Sequence, residues 1–394
     1  MNKIADVVVV GGGVIGCSVA YYLAKKGVKV IVIEKKGGLC FGASGASQGA
    51  CPVQLFESSV LELARESSKL YENLSEEIGY DIEYENTGSL ICSVDETHYS
   101  GMEEHVQNKR REGINARLIG GDELRKLEPT LGKDVIVGVE EWESCKVNPF
   151  KVNYGFAHAA IKLGTVFFLS AEVIKIERDK EKITSVVTDK EKIKTNFVVN
   201  TAGAWAFEIG KIVGIIILVR PRRGQIIVTE PVPFNKRWRY ILDDDYLTTA
   251  FNLEAVGKSK NPRIKLGVAG SYLQGDTGNW TIGSSRDFAD YNNRVTMQTL
   301  RYLAKRVIKF MPKLKDVNCI RTFAGLRPFC YVDGLPILSK INNPQNFIIA
   351  TGHAGEGITL APITGKLISE LITENRTSIS IDAFAFSRFK NITN

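Results

Sequence analysis

The sequence predicts an α/β protein with a second, α+β domain, built on an antiparallel sheet and inserted into the first. Three observations carry this. Val7-Val8-Val9-Val10 runs into Gly11-Gly12-Gly13-Val14-Ile15-Gly16, so a β-branched strand opens into a Gly-x-Gly-x-x-Gly turn. Two later stretches repeat the strand–glycine–helix junction, near Gly203 and Gly355. Between the junctions, 83–145 and 216–320 mix strands and helices without βαβ rhythm. The expected division is 1–82, 146–215 and 321–394 for the nucleotide-binding domain, and 83–145 with 216–320 for the inserted one.

The first junction reads as a dinucleotide fingerprint because every part has its place. An amphipathic helix follows the glycines, with Gly16, Val19, Ala20 and Leu23 on one face, and ends near Gly27. A second strand covers 29–33, and Glu34 stands at its end. Gly11 permits the tight turn, Gly13 lets backbone approach a pyrophosphate, and Gly16 lets helix and strand close together. The helix N-terminus offers free N–H groups to the phosphates. Glu34 accepts from ribose hydroxyls and repels a 2′-phosphate, which disfavours NADP. The ligand expected here is an adenine dinucleotide.

The 394 residues suffice for two ordinary domains, and 44% hydrophobic with 24% charged residues is a globular composition. No apolar run approaches the roughly 20 residues that span a bilayer; the longest, 212–219, is broken by Gly214. The chain enters a core strand at once, with no signal peptide, so the expected location is cytoplasmic. The net charge of +7 is spread over Lys25-Lys26, Lys35-Lys36, Lys109-Arg110-Arg111, Arg220–Arg223 and Lys305-Arg306. That scatter reads as solvated surface and excludes a nucleic-acid site. It also leaves open an acidic partner or peripheral association at the inner membrane face, although no amphipathic anchor is evident. Seven cysteines without a Cys-x-x-Cys pair read as reduced thiols, and four unpaired histidines point to no metal site.

In chain order, 42–50 is a loop of small residues, Gly-Ala-Ser-Gly-Ala-Ser-Gln-Gly-Ala, suited to lie against a flat ligand. Periodicity predicts a helix over 58–78, a strand over 83–94 turned at Gly88, helices over 101–112 and 122–127, and a strand over 135–139. Asn148-Pro149 starts a helix that Gly164 stops. An antiparallel meander follows over 172–177, 183–188 and 196–200, leading into Asn200-Thr201-Ala202-Gly203-Ala204-Trp205. Strands are expected over 225–229, 263–268 and 280–282, and a helix over 292–311. A buried strand over 347–350 then meets the last glycine turn and a helix from Ile358.

One βαβ unit, a meander and a late glycine turn are the layout of a flavin enzyme rather than a nicotinamide one. A helix N-terminus at 357–359 stabilises the negative charge that collects at flavin N1 and O2 on reduction.

These stretches, together with Gly325-Leu326-Arg327-Pro328, Asp333-Gly334-Leu335-Pro336 and the run Gly352-His353-Ala354-Gly355-Glu356-Gly357-Ile358-Thr359-Leu360-Ala361-Pro362, carry a resemblance over nearly the whole chain. The chain resembles the FAD-dependent D-amino acid, glycine and sarcosine oxidase–dehydrogenase family. The run 278–286, Gly-Asn-Trp-Thr-Ile-Gly-Ser-Ser-Arg, is most similar to its D-amino acid, D-proline and hydroxyproline dehydrogenase branch. The usual Pro-Asp-Gly of the family is Val332-Asp333-Gly334 here.

The resemblance implies a glutathione-reductase-type FAD-binding domain beneath a substrate domain. It implies oxidation of the C–N bond of a small amino or imino acid by hydride transfer to flavin N5. Glycine or sarcosine oxidation by oxygen is the alternative. So is a flavoprotein subunit of a dye-linked complex, with a partner subunit, quinone or dye as acceptor. It places FAD on Gly11, Gly13, Val14, Ile15, Gly16, Glu34 and Lys35, and on Ser44, Ser47, Gln48, Gly49 and Ala50. Val173, Ala202, Gly203 and Trp205 continue the site, and Gly352, His353, Gly355, Gly357, Ile358 and Thr359 complete it. Arg327 grips the substrate carboxylate. Tyr246 adds a hydroxyl, with Tyr272 as its rival, and Arg321 either lines the pocket or pairs between domains. His353 either bonds the cofactor or caps its turn. Cys51 reads as a buried thiol, and Cys330 occupies the region where some relatives link flavin covalently.

Overall fold

The computed structural model describes residues 3–56, 58–232, 239–246 and 259–390. Its first sheet has eight strands and is built around Lys3–Val10, which pairs in parallel with Val30–Ile33 on one side and Lys192–Asn200 on the other. Val166–Phe168 extends the first edge in parallel. Lys192–Asn200 divides its far edge. Its first part takes the antiparallel meander of Lys182–Thr188 and Val173–Asp179, and its end takes Phe347–Thr351 in parallel. Alternation sets the layers. Val7, Val9, Val30 and Val32 face one core, and Val8, Val10, Ile31 and Ile33 face the other. A parallel strand buried on both faces needs apolar residues at every position, which is why these runs do not alternate. Burying each such side chain contributes about 1.5–3 kcal/mol.

Val14–Lys25 and Gly357–Thr373 pack against each other over the first core. Their approach is close. Ser18 Oγ donates to the Ala361 carbonyl at 2.8 Å, and a Cβ on Gly365 would lie 2.1 Å from Ser18 Oγ.

The second sheet also has eight strands, in the order Cys319–Cys330, Val219–Pro231, Asn279–Gly283, Ser271–Gln274, Tyr240–Asp243, Ser89–Ser93, Val137–Glu141, Ala116–Gly120. Only Tyr240–Asp243 with Ser89–Ser93 is a parallel pair among these. The Met297–Phe310 helix presents Leu303, Val307 and Phe310 to the core that holds Tyr272 and Trp280. A small sheet of Ala50–Cys51, Cys145–Lys146 and Glu85–Asn86 joins the two halves. No described helix is long and apolar enough to cross a membrane.

Several expectations need correction. The run 263–268 is no strand: Pro262–Lys265 is a short helix, because the Asn261 side chain accepts from the Arg263 amide and Pro262 takes the first helical position. The helix expected from 292 begins at Met297, where Thr296 caps it. Residues 321–330, assigned above to the nucleotide-binding domain, hydrogen-bond along Val219–Pro231 as the edge strand of the second sheet. Pro328 is tolerated at that edge, opposite Pro221. The basic runs are not all solvated. Lys109 is buried, donating to the Phe56 carbonyl at 2.5 Å and to Glu112 at 2.8 Å. Arg222 and Arg223 are buried as well, with Arg223 paired to Asp287.

Candidate active site

A long cleft runs between the two sheets, and local structure explains each wall. At one end Gly11 has φ +114°, and a Cβ there would meet the Thr201 carbonyl at 2.7 Å. A Cβ on Gly16 would sit 1.9 Å from the Gly11 carbonyl, so this glycine sets the helix–strand distance and lies behind the lining. Gly13, Val14 and Ile15 face the cleft. The Glu34 carboxylate accepts from the Gly12 amide at 2.7 Å and the Lys36 amide at 2.8 Å, and still lines the cleft. A carboxylate has about four acceptor sites, so ribose hydroxyls can share it.

The loop of small residues forms the middle wall through Ser44, Ser47, Gln48 and Ala50. Ser44 Oγ accepts from the Val14 amide at 3.0 Å, in place of a side-chain cap on the first helix. The Gln48 amide nitrogen donates to the Thr281 and Ser271 carbonyls at 2.8 and 3.0 Å, fixing this loop to the second sheet. Gly49 has φ +90° and packs under the Val147 carbonyl, off the lining. Val173, Ala202, Gly203 and Trp205 form the opposite wall. Lys35 Nζ stands 4.5 Å from the centre of the Trp205 ring, whose plane stacks on Tyr291.

At the far end the late glycine turn supplies His353, Gly355, Gly357 and Ile358. Gly352 and Thr359 lie outside the lining. Gly352 shapes the turn at φ +82°, and Thr359 is buried in the helix. His353 Nε2 is 3.1 Å from Thr364 Oγ1, and burial pushes its pKa down to about 3, so it is neutral near pH 7.

Arg327 projects into the same region. Its Nη1 donates to the Ser285 carbonyl at 2.8 Å and its Nη2 to Ser284 Oγ at 3.1 Å. Burial, then the charge of Arg286, pushes its pKa down to about 10, and it remains a cation. Tyr246 is buried and lines the cleft, with the Arg286 guanidinium 4.1 Å from its ring centre. The turn before Tyr246 is held by Asp243, Asp244 and Asp245. Their carboxylates converge, but Arg306 bonds all three and Arg263 also holds Asp245. Burial pushes Asp243 up to about 6.

The rivals lie elsewhere. Tyr272 packs on Phe310 in the second core, and Arg321 lines a neighbouring cavity. Cys51 and Cys330 are buried away from the cleft lining. Sequence reasoning missed Glu356, Tyr240 and Ser284, which line the cleft. Glu356 carried a signal, since glutamate is not among the favoured N-cap residues.

A cleft with one dinucleotide fingerprint, an acid at the second strand and a second helix N-terminus at its far end defines an adenine-dinucleotide flavoprotein, and its residues fit FAD. The chain belongs to the DAO family of FAD dependent oxidoreductases, whose match covers residues 6–371. It is 27% identical to the hydrogen cyanide synthase subunit HcnC of Pseudomonas aeruginosa, over 99% of this chain and 97% of that one. It is 27% identical to glycine oxidase of Geobacillus kaustophilus, over 97% of each. Its structure is similar to that of L-proline dehydrogenase from P. horikoshii, with a TM-score of 0.88, 25% identity and 99% of each chain covered.

Proposed function

We propose that this flavoenzyme oxidises the C–N bond of a small amino or imino acid, of the D-amino acid, D-proline or hydroxyproline type. Arg327 carries the reading. It is a guanidinium at the cleft, oriented by two hydrogen bonds, with no carboxylate at ion-pair distance among the described residues. A substrate carboxylate relieves both its desolvation and its repulsion from Arg286. Tyr246 adds a hydroxyl to that carboxylate, and those of the named cofactor residues that line the cleft cradle FAD. Bound FAD supplies the acceptor for a hydride leaving the carbon beside nitrogen. The protein contributes placement and exclusion of water.

Relatives named for glycine oxidation and L-proline dehydrogenation support an amino or imino acid substrate. The glycine oxidases favour a second reading, glycine or sarcosine oxidation by oxygen. HcnC, named as a subunit, favours a third, in which electrons pass to a partner subunit, a quinone or a dye.

Anaerobic mixing with D-proline, hydroxyproline isomers, glycine, sarcosine and D- and L-amino acids tests this by loss of flavin absorbance. Bleaching by one group names the substrate class, and admitting air separates oxidase from dehydrogenase. Arg327→Ala is expected to lower kcat/KM on the order of 10²-fold, as loss of one partner of a charged pair does. Unchanged reduction in that variant would remove Arg327 from the site.

A further inference from the structure

Glu356 has no part in the reading above. It ends the turn that begins at Gly352 and stands at the boundary of the Gly357–Thr373 helix. Its side chain makes no capping hydrogen bond there, so it is not retained to satisfy the helix amides. It lines the same cleft as Arg327 and Tyr246. Arg327 lies against its turn, for a Cβ on Gly355 would stand 3.2 Å from Arg327 Nε. The charged and titratable groups that face Glu356 are Arg327, Arg286, Tyr240 and Cys51. None of these forms an ion pair with it. Burial holds its carboxyl above the ordinary range, while the two guanidiniums draw it back. A carboxylate so placed offers an acceptor beside the carboxylate-binding cation.

We propose that Glu356 receives the substrate's amino group and takes its proton. This rests on the amino-acid reading of the same site. A zwitterion is then held at both ends, its carboxylate on Arg327 and its ammonium on Glu356. One N–H bond breaks and an O–H bond forms on Glu356. The lone pair left on nitrogen closes the C=N bond as the adjacent hydrogen leaves with its electron pair to the bound cofactor. The proton passes to water when product departs. Substrates lacking a protonatable amine bind at Arg327 without turnover.

Glu356→Gln keeps size and neutral hydrogen bonding and removes the base. Anaerobic flavin reduction would be followed against pH in the wild type and the variant. Binding of propionate, an amine-free carboxylate, would be read from its perturbation of the flavin spectrum. The expected result is reduction about 10²-fold slower at neutral pH, recovering above the substrate amine's own pKa. FAD content is expected to stay the same, and propionate to bind as well as before or better. Glu356→Asp keeps a base and is expected to retain the wild-type acid limb at a lower rate. An unchanged rate and pH profile in Glu356→Gln overturns the proposal, as does an equal loss at every pH or an Asp variant without the acid limb. A wild-type flavin that no amino acid reduces instead overturns the amino-acid reading itself, and the role of Glu356 with it.

Discussion

Arg327 reaches the cleft through a slot that only glycine leaves open. A Cβ on Gly224, across the strand pair from Gly325, would lie 2.1 Å from Arg327 Nη1. Gly224→Ala must therefore move the guanidinium while leaving its charge intact. A displacement of about 1 Å in a positioning group costs on the order of 10²-fold in rate. We expect kcat/KM to fall by about that factor, mostly through KM, with FAD content unchanged. A variant with wild-type kinetics would show that this arginine does not hold substrate. His353 makes a different prediction. Burial holds its pKa at about 3, well below the ordinary 6.5. Between those values the unfolded chain binds the extra proton, so stability falls as pH drops below about 6.5, by up to about 1.4 kcal/mol per pH unit. His105, pushed down to about 4, adds to this slope, while Asp243, pushed up to about 6, opposes it. Only a difference profile isolates His353. His353→Gln should flatten the acid side of Tm against pH relative to the wild type, and parallel profiles would mean that the imidazole is not buried neutral.

At the scale of elements, the small-residue loop works by supplying what the first helix lacks. That helix begins at Val14, its N-cap Gly13 has no side chain to offer, and Ser44 Oγ of the loop accepts from the Val14 amide. Ser44→Ala should weaken FAD binding on the order of 10-fold and lower stability by about 1 kcal/mol, read by FAD titration of the apoprotein and thermal melting. Equal affinity in both proteins would mean that the loop only covers the cofactor. Elements of this kind were legible where one local rule decides them. The 58–78 helix follows its 3.6 period, and its bounds agree with Ser58–Ile78. Asn148-Pro149 announced a helix because cap and first-turn proline are contiguous, yet the same pair at Asn261-Pro262 sat before an apolar run and read as a strand. Cys319–Cys330 stayed hidden because its glycine and proline are tolerated only at a sheet edge, which is a property of the partner strand. Tyr240–Asp243 is a short strand whose partners, Ser89–Ser93 and Ser271–Gln274, come from distant chain segments. At the site, the glycine junctions were readable, since backbone approach needs glycine in a fixed order. Glu356 and Arg286 were not, because their meaning depends on which charges the folded chain sets beside them.

At the scale of the whole molecule, the cleft's walls come from both large sheets. The fingerprint and Glu34 belong to the first, Arg327 to the second, and the loop between is tied by Gln48 to Ser271 and Thr281. A ligand lying along this cleft contacts segments far apart in sequence, and it binds the native state alone. FAD at 100 times its dissociation constant then stabilises the fold by about 2.7 kcal/mol. The gain should not be uniform. Trp280, Tyr272 and Phe310 belong to a core none of whose described residues lines the cleft. Their strands should exchange backbone amides as slowly without the cofactor as with it. The cleft-lining segments 11–15, 42–50, 201–205 and 353–358 should lose protection when FAD is removed. Hydrogen exchange on the holoprotein and on protein stripped of flavin measures this directly. Deprotection confined to those cleft-lining segments, together with a Tm that rises with added FAD, supports a cofactor held across both sheets on a preformed scaffold. Deprotection spread evenly through both sheets would mean that FAD is needed to assemble the fold, and the cleft would then be a product of binding rather than its cause.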